Sequence, residues 1–464
     1  MKRLFLLMLL SPVLSHAATW LVGPTQVYTK PSQVSNLVND GDTVLIDAAT
    51  YTADVCYWSK NNLLLKGSGQ GYAHLDANGT AYGGKAIWVI GGINTRVENI
   101  EFSHCTVADK NGAGIRQEGE NLTVVHCYFH HNEMGLLAGD ISNCKIVIEK
   151  SELAFNGYGD GYSHNIYINH IDTFVFQYNY SHDAFVGHEV KSRAKNNYIL
   201  YNRITSELGT DSRNIDLPNG GRSFLIGNII NQQQASQNNN LVGYGLEGLA
   251  NAVYNELYVI NNTLVNEKTV GSFFDLSAGT ELFKAYNNVC AGMGTFYTNT
   301  PLVTDTLKNM LVNSYAALMF QDPATYQYQI SFPAAGSSPL YNAGTAAGNV
   351  GAFSLTPQFV YVHPQNYATR CINATPDIGA YEECIPAAVE NVTEDPFVLY
   401  PNPASGSLHL SEVCLKLRMY DLSGKCVLES AQCKDVYFEL PSGLYYAVII
   451  NSAGRPFVRK ILVQ

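Results

Sequence analysis

A column of small polar residues constrains this chain more than any other feature of its sequence. Short apolar runs such as TVLIDA, RVENIEF, LTVVHCYF, KIVIEKSEL, TFVFQYNY, YILYNRI, FLIGNII and LYVINNTL can be aligned with one another. The alignment places Asn99, Cys127, Ser151, Asn179, Asn202, Asn228, Asn262 and Asn288 at one point of the pattern, in steps of 28, 24, 28, 23, 26, 34 and 26 residues. Runs this short, with almost no helical periodicity, are strands. A strand repeat in the twenties is the mark of a solenoid. Stacked side chains recurring about every 4.8 Å can hydrogen-bond from coil to coil, as a right-handed parallel β-helix requires. A propeller blade would repeat at about 40 residues or more, and a β-sandwich would show no such column. The expected fold is therefore all-β, a right-handed parallel β-helix, with the longer steps as loops on single turns.

The two ends carry different signals. Lys2 and Arg3 precede an apolar run from Leu4 to Leu14 and then Ser15-His16-Ala17, the pattern of a signal peptide cleaved after Ala17. The apolar run is shorter than the ~20 residues of a spanning helix, and no other segment is long and apolar enough to span. The expectation is an exported chain of one subunit. Its 39 acidic against 28 basic residues leave no electrostatic footprint for nucleic acid. Ten cysteines are scattered along it. Cys371 and Cys384 bracket a short loop and are a candidate disulfide; Cys105 and Cys127 read as buried thiols, and no spacing resembles a zinc site.

The opening segment, with GDTVLIDAATYT followed by NNLLLKGSGQG, resembles the first coils of secreted β-helix proteins. TPDIGAYE at 375–382 resembles the segment that closes many of them. These bracket a β-helix domain over 18–383, in which 300–370 lose the period and are read as a flank packed along the helix. A linker over 384–396 follows, and then a separate domain at 397–464, expected as a small β-sandwich. Its Leu399-Tyr400-Pro401-Asn402-Pro403, Tyr420-Asp421 with Gly424-Lys425, Gly443-Leu444-Tyr445 and Arg459-Lys460 resemble the C-terminal sorting domain of the type IX secretion pathway of Bacteroidetes. That resemblance implies the secretion machinery as a partner, passage across the outer membrane, and removal or surface attachment of the domain. The alternative is a small binding module, since the PNP and SGK turns are ordinary turn chemistry.

Residues 161–221 hold the densest group of ionisable side chains in a chain only 14% charged. Taking Ile166, Val190 and Ile215 as inward residues of successive coils, strand parity turns their neighbours outward. One outward column is then Asn165, Glu189 and Asn214; a second is Tyr167, Lys191 and Asp216; Asn169 and Arg193 make a third. His164 and His188 fall on the inner side at the start of their strands. His182 and Asp183 sit in a turn, and Glu247 reaches the same face as Asp216 from the next coil. A one-residue register error would swap these assignments.

Outward Lys, Arg, Tyr and carboxylate side chains on a rigid β-helix suit an extended sugar chain, with aromatic rings on pyranose faces and cations on carboxylates. Glycoside hydrolysis would need two carboxylates at a set separation. β-Elimination from a uronate needs a base for the C5 proton, a cation on the adjacent carboxylate and a proton donor to the leaving oxygen. Lys191 suits the base if Arg193 and partial desolvation lower its pKa. Arg193 or Arg213 suits the carboxylate, and Tyr167 or a histidine such as His188 suits the donor. His164, Asn165, His182, Asp183, Glu189, Asp216 and Glu247 are candidate substrate contacts.

GHEVKSRAKNNYILYNRI also resembles the segment carrying the catalytic Lys-Ser pair of β-helical polysaccharide lyases of the chondroitinase B and alginate lyase kind. The resemblance implies Lys191 as base. The family's acid, an Arg followed by His-Gly-Asn one coil later, has no counterpart in IDLPNGG, where Arg213 is the nearby cation. Some members use Ca²⁺, which here would fall to Glu189, Asp216 and Glu247. A noncatalytic carbohydrate-binding β-helix, and a glycoside hydrolase, are the alternatives.

Overall fold

A computed structural model describes residues 17–251, 254–330, 338–371, 373–383, 398–422, 425–451 and 456–464. Residues 1–16 of the leader, the whole linker with Cys384, and Gly424 lie outside them. The chain divides into two units, Met1–Cys384 and Ile385–Gln464.

The first unit is a right-handed parallel β-helix whose strands visit three faces in turn. One face is a twelve-stranded sheet running from Thr19–Val22 to Val303–Leu307. A second is an eleven-stranded sheet from Thr50–Thr52 to Met310–Val312, and the third is a ten-stranded sheet from Cys56–Trp58 to Thr295–Thr298. Each strand pairs in parallel with its counterpart one coil later, as Thr173–Gln177 does with Asn196–Leu200. Alternate side chains enter the core, as the strand period demands. Phe174 and Phe176 are buried in TFVFQ, and Ile146 and Ile148 in KIVIE. Inside, Phe102 stacks on Phe129 with centroids 5.0 Å apart, and Trp58 meets Trp88 edge-on at 5.4 Å. Cys105 and Cys127 are buried thiols, and burial pushes each up to about 12.

The polar column turns the chain from the twelve-stranded to the eleven-stranded sheet. Each member accepts, through its side chain, the backbone N–H of the member one coil before. Ser151 Oγ accepts from Cys127 at 3.1 Å, and Asn179 Oδ1 from Ser151 at 2.9 Å. The chain of bonds continues through Asn202, Asn228, Asn262 and Asn288 and ends on Asn309. Immediately before each member stands a residue in the left-handed region: His126, Lys150, Tyr178, Tyr201, Gly227, Asn261, Asn287 and Lys308, with φ between 51° and 67°. This is the sharp bend, costing about 1–2 kcal/mol at each non-glycine residue, which the buried amide ladder offsets. Asn99 belongs to this bend column, at φ 56°, and not to the ladder. Ile100 occupies the ladder position of its coil, because Glu101 pairs with Tyr128.

The strand period persists past residue 300, further than expected, through Val303–Leu307 and Met310–Val312. The flank begins after them. Its Leu318, Phe320, Tyr328, Leu340, Tyr361 and Ile378 pack on Ile229, Val265 and Val289. Its Ala347, Leu355 and Phe359 cover Tyr178, Tyr201, Phe224 and Tyr258. TPDIGAYE is tied in by Asn261 Nδ2, which donates to the carbonyls of Asp377 and Gly379 at 2.8 and 3.2 Å. Cys371 is disulfide-bonded; its expected partner, Cys384, is among the residues not described.

The second unit is an antiparallel sheet with its own core of Leu408, Leu410, Leu417, Met419, Ala447 and Ile449. Its long strand Ser407–Tyr420 pairs with both Cys426–Tyr437 and Gly443–Asn451.

Candidate functional site

The ten-stranded sheet presents one outward column assembled from successive coils. Backbone register aligns Tyr167 with Lys191, Lys191 with Asp216, Asp216 with Gly243, and Gly243 with Asp275. The strands Ile166–Ile168, Val190–Ser192 and Ile215–Leu217 bury Ile166, Val190 and Ile215, so their central residues face out. Lys191 Nζ lies 3.5 Å from Asp216 Oδ2 and 3.2 Å from Glu247 Oε1. It also sits 5.7 Å from the centre of the Tyr167 ring.

Arg193 binds this group from the side. Its Nε donates to the Tyr167 hydroxyl at 2.8 Å, one terminal nitrogen to Asn219 Oδ1 at 2.5 Å, and the other to Glu247 Oε2 at 2.6 Å. Glu247 arrives from the turn after strand Asn240–Tyr244, pinned by its N–H on the Pro218 carbonyl at 2.9 Å. Partial desolvation opposes its ionisation, but the bonds from Arg193 and Lys191 win and hold its carboxyl below the usual range. Burial pushes the Asp216 carboxyl up, against the opposing pull of Lys191 and Arg213.

Arg213 and Asp275 extend the column. The Arg213 guanidinium spans Asp216 at 3.3 Å and Asp275 at 3.9 Å. Gly243 lets it do so, since a Cβ there would stand 2.9 Å from Asp216 Oδ1 and 3.2 Å from Arg213 Cδ. Asp275 and Gly243 were not among the sequence candidates. Only the register across the long coil that follows Asp216 aligns them with Lys191.

The histidines lie beneath this surface. His164 and His188 stack with centroids 4.8 Å apart and planes 11° from parallel. Each Nδ1 accepts a backbone N–H from the next coil: His164 from His188 at 3.0 Å, and His188 from Arg213 at 3.1 Å. The proton of each neutral ring therefore sits on Nε2, which in His188 is 3.5 Å from Asp216. Burial, reinforced for His188 by Lys191 and Arg213, holds both rings well below the usual histidine range. Below about pH 6.5 the unfolded chain takes up protons at these positions and the folded chain does not. Their contribution to stability therefore falls as pH falls. Urea titrations at pH 7 and pH 5 are expected to show a smaller acid loss in the His164→Asn/His188→Asn double variant, whose Oδ1 atoms keep the two acceptors. An unchanged loss would contradict the assignment of neutral rings.

Other candidates lie elsewhere. Asn165, Glu189 and Asn214 are fully buried and face inward. They occupy the corner leading into the ten-stranded sheet, where the backbone bends and strand parity does not carry over. Asn165 Oδ1 accepts from Asn156, and its Nδ2 donates to Glu189 Oε2 at 2.5 Å. Glu189 also accepts from Ser181 and from the Ala184 N–H; burial and then the Asp211 charge push its carboxyl well above the usual range. Asn165 and Glu189 thus hold a corner and present nothing to a substrate. His182 belongs to the eleven-stranded sheet, packed on Tyr180 at 4.0 Å and bonded to Asp183 at 2.8 Å and Glu152 at 3.3 Å. Asp183 spends its other oxygen on the N–H groups of Glu207 and Leu208. His182 is one face away from Lys191, and Asp183 stands in the corner between the two faces.

The calcium expectation loses Glu189 by the same burial. Asp216 and Glu247 remain, both paired with Lys191 and each with an arginine, against the six to eight oxygen ligands calcium takes. The donor set does not fit that ion.

A wide cleft lies on the corner loops that feed this sheet. It measures about 630 Å³ and is lined by Lys110, His131, Tyr158, Asp183, Phe185 and Leu208 among others. Tyr158 and Phe185 are half exposed, and Tyr162, on the same loop as Tyr158, is 81% exposed.

Among known proteins, no curated sequence matches the chain. In fold it is similar to the solved structure of pectate lyase Pel9A, with a TM-score of 0.55 at 14% identity, over 80% of this chain and 97% of that one. Among the described residues no helix is long and apolar enough to cross a membrane. Residues 398–464 match the family model of the secretion system C-terminal sorting domain. The chain is thus a parallel β-helix similar in fold to pectate lyase Pel9A, carrying a C-terminal sorting domain that directs it through a secretion system to the cell surface or the medium.

Proposed function

We propose that this protein is an exported polysaccharide lyase that cleaves a uronate-containing chain by β-elimination at Lys191. The observation that carries the reading is the outward column in which Lys191 stands between Tyr167, Asp216 and Glu247, with Arg193 and Arg213 alongside. The likeness in fold to a pectate lyase agrees with it.

In this reading a uronate carboxylate docks against Arg193 or Arg213, displacing part of their pairing with Glu247 and Asp216. Neutralising that carboxylate acidifies the C5–H bond and stabilises the developing enolate. Lys191 takes the C5 proton. The electron pair forms the C4–C5 double bond and the C4–O bond breaks. The Tyr167 hydroxyl, which accepts a bond from Arg193, donates its proton to the departing oxygen. Asp216, backed by His188, positions Lys191. The cleft bearing Tyr158 and Phe185 offers aromatic faces for neighbouring sugars.

The purified protein is expected to raise the ultraviolet absorbance of unsaturated uronate ends on at least one of pectate, alginate and a glycosaminoglycan. New reducing ends without that chromophore would identify a hydrolase and overturn the reading. Those same exposed aromatic residues favour a second reading, a noncatalytic glycan-binding β-helix. It predicts retention on a polysaccharide column, unchanged in Lys191→Ala, with no product from any polymer.

A further inference from the structure

The outer face of the eleven-stranded sheet, a different face from that of Lys191, carries a second group of chemically able side chains. Strands Ala73–Asp76, Ile100–Ser103 and Tyr128–His130 stack in register, His74 beside Glu101 and Ser103 beside His130. Each of three successive coils supplies one residue that can bind a metal. His130 Nε2 lies 2.9 Å from Glu101 Oε1, and His74 Nε2 lies 3.5 Å from the same oxygen. All three ligand atoms fall within 4.8 Å of one another. Among the described residues no other group of three His, Cys, Asp or Glu side chains converges in this way.

We propose that His74, Glu101 and His130 form a binding site for a divalent transition metal of the zinc class. Two imidazoles and one carboxylate are the protein ligands of open zinc sites, which leave a fourth position for water or a substrate atom. The side chains are 22%, 21% and 12% exposed, so the site is partly sheltered and still reachable. Adjacent coils of a parallel sheet hold the three backbones, and closing the donors around an ion needs only side-chain adjustment.

The surroundings fit this use. His130 Nδ1 lies 2.8 Å from His131 Nδ1. With a metal on Nε2, the His130 proton sits on Nδ1 and is donated to His131, the outer hydrogen bond that fixes a ligating imidazole. The Tyr128 ring packs against His130 at 4.3 Å between centroids. Ser103 Oγ is 2.8 Å from His74 Nε2. A cleft of about 350 Å³, lined by Asp76, His104, Thr106 and His131, borders the site. A salt-bridged cluster would need one histidine beside Glu101; the second adds a repulsive charge if both are protonated and a ligand if they are not.

The test is isothermal titration of the full, untagged chain, stripped with chelator, with zinc, together with visible absorption after cobalt addition. One saturable zinc per chain and the d–d bands of four-coordinate cobalt are expected. Glu101→Gln, which keeps the shape of the side chain, and His130→Ala are each expected to weaken zinc at least tenfold, with far-ultraviolet circular dichroism confirming the fold. No saturable zinc in the wild type, or wild-type affinity retained in both variants, would overturn the site and leave a salt-bridge cluster only.

Discussion

Replacing Asn228 by alanine is expected to lower the unfolding free energy of the β-helix by about 3–5 kcal/mol, the sum of a few stranded buried groups at about 1–3 kcal/mol each. Asn228 Oδ1 accepts both the backbone N–H and the side-chain Nδ2 of Asn202 at 3.0 Å. Its Nδ2 donates to the Ile199 carbonyl at 2.8 Å and to Asn262 Oδ1 at 2.9 Å. All of this is inside the solenoid, where water cannot replace the lost partners and each bond polarises the next. The same change at Asn309, the half-buried end of the ladder, is expected to cost under about 1.5 kcal/mol, since water can reach that end and replace part of what is lost. Urea unfolding followed by circular dichroism compares the two. Equal losses would mean that the ladder is decoration on a fold held by its core alone.

The second large effect concerns chemistry. Lys191→Ala is expected to reduce kcat on the responsive uronate polymer by about 10³-fold, within the range for loss of a general base, with KM little changed. Lys191→Arg is expected to be as inactive, because a guanidinium keeps its proton. Arg193→Ala differs. It frees Tyr167, Asn219 and Glu247 together, so KM is expected to rise along with a loss in kcat of about 10²-fold. Initial rates of unsaturated-end formation separate the two patterns. Substantial activity in Lys191→Arg would remove Lys191 from the role of base.

The fold was legible because the ladder is a sequence feature: a buried turn that needs an amide in every coil writes Asn at a regular interval. Even there, Asn99 misled, since the bend residue and the ladder residue are neighbours and asparagine suits both. Parity located Tyr167, Lys191 and Asp216 because all three stand mid-strand. It failed for Asn165, Glu189 and Asn214 because one bond before the strand the chain is still turning. His182 reads as a turn residue in SHDA, but it ends strand Tyr180–His182 on another face of the helix. Asp275, Gly243 and the His74, Glu101 and His130 group come from coils whose register spacing alone does not fix. Ligands contributed one per coil leave no local motif to read.

Running the reaction in water enriched in the heavy oxygen isotope, and weighing the oligosaccharides released from the responsive polymer, tests the central claim most directly. β-Elimination at Lys191 breaks the C4–O bond without adding water. The fragments are then expected to carry an unsaturated end and no heavy oxygen at the new termini, and Lys191→Ala is expected to release none. Heavy oxygen at each new reducing end, or fragments released undiminished by Lys191→Ala, would contradict it.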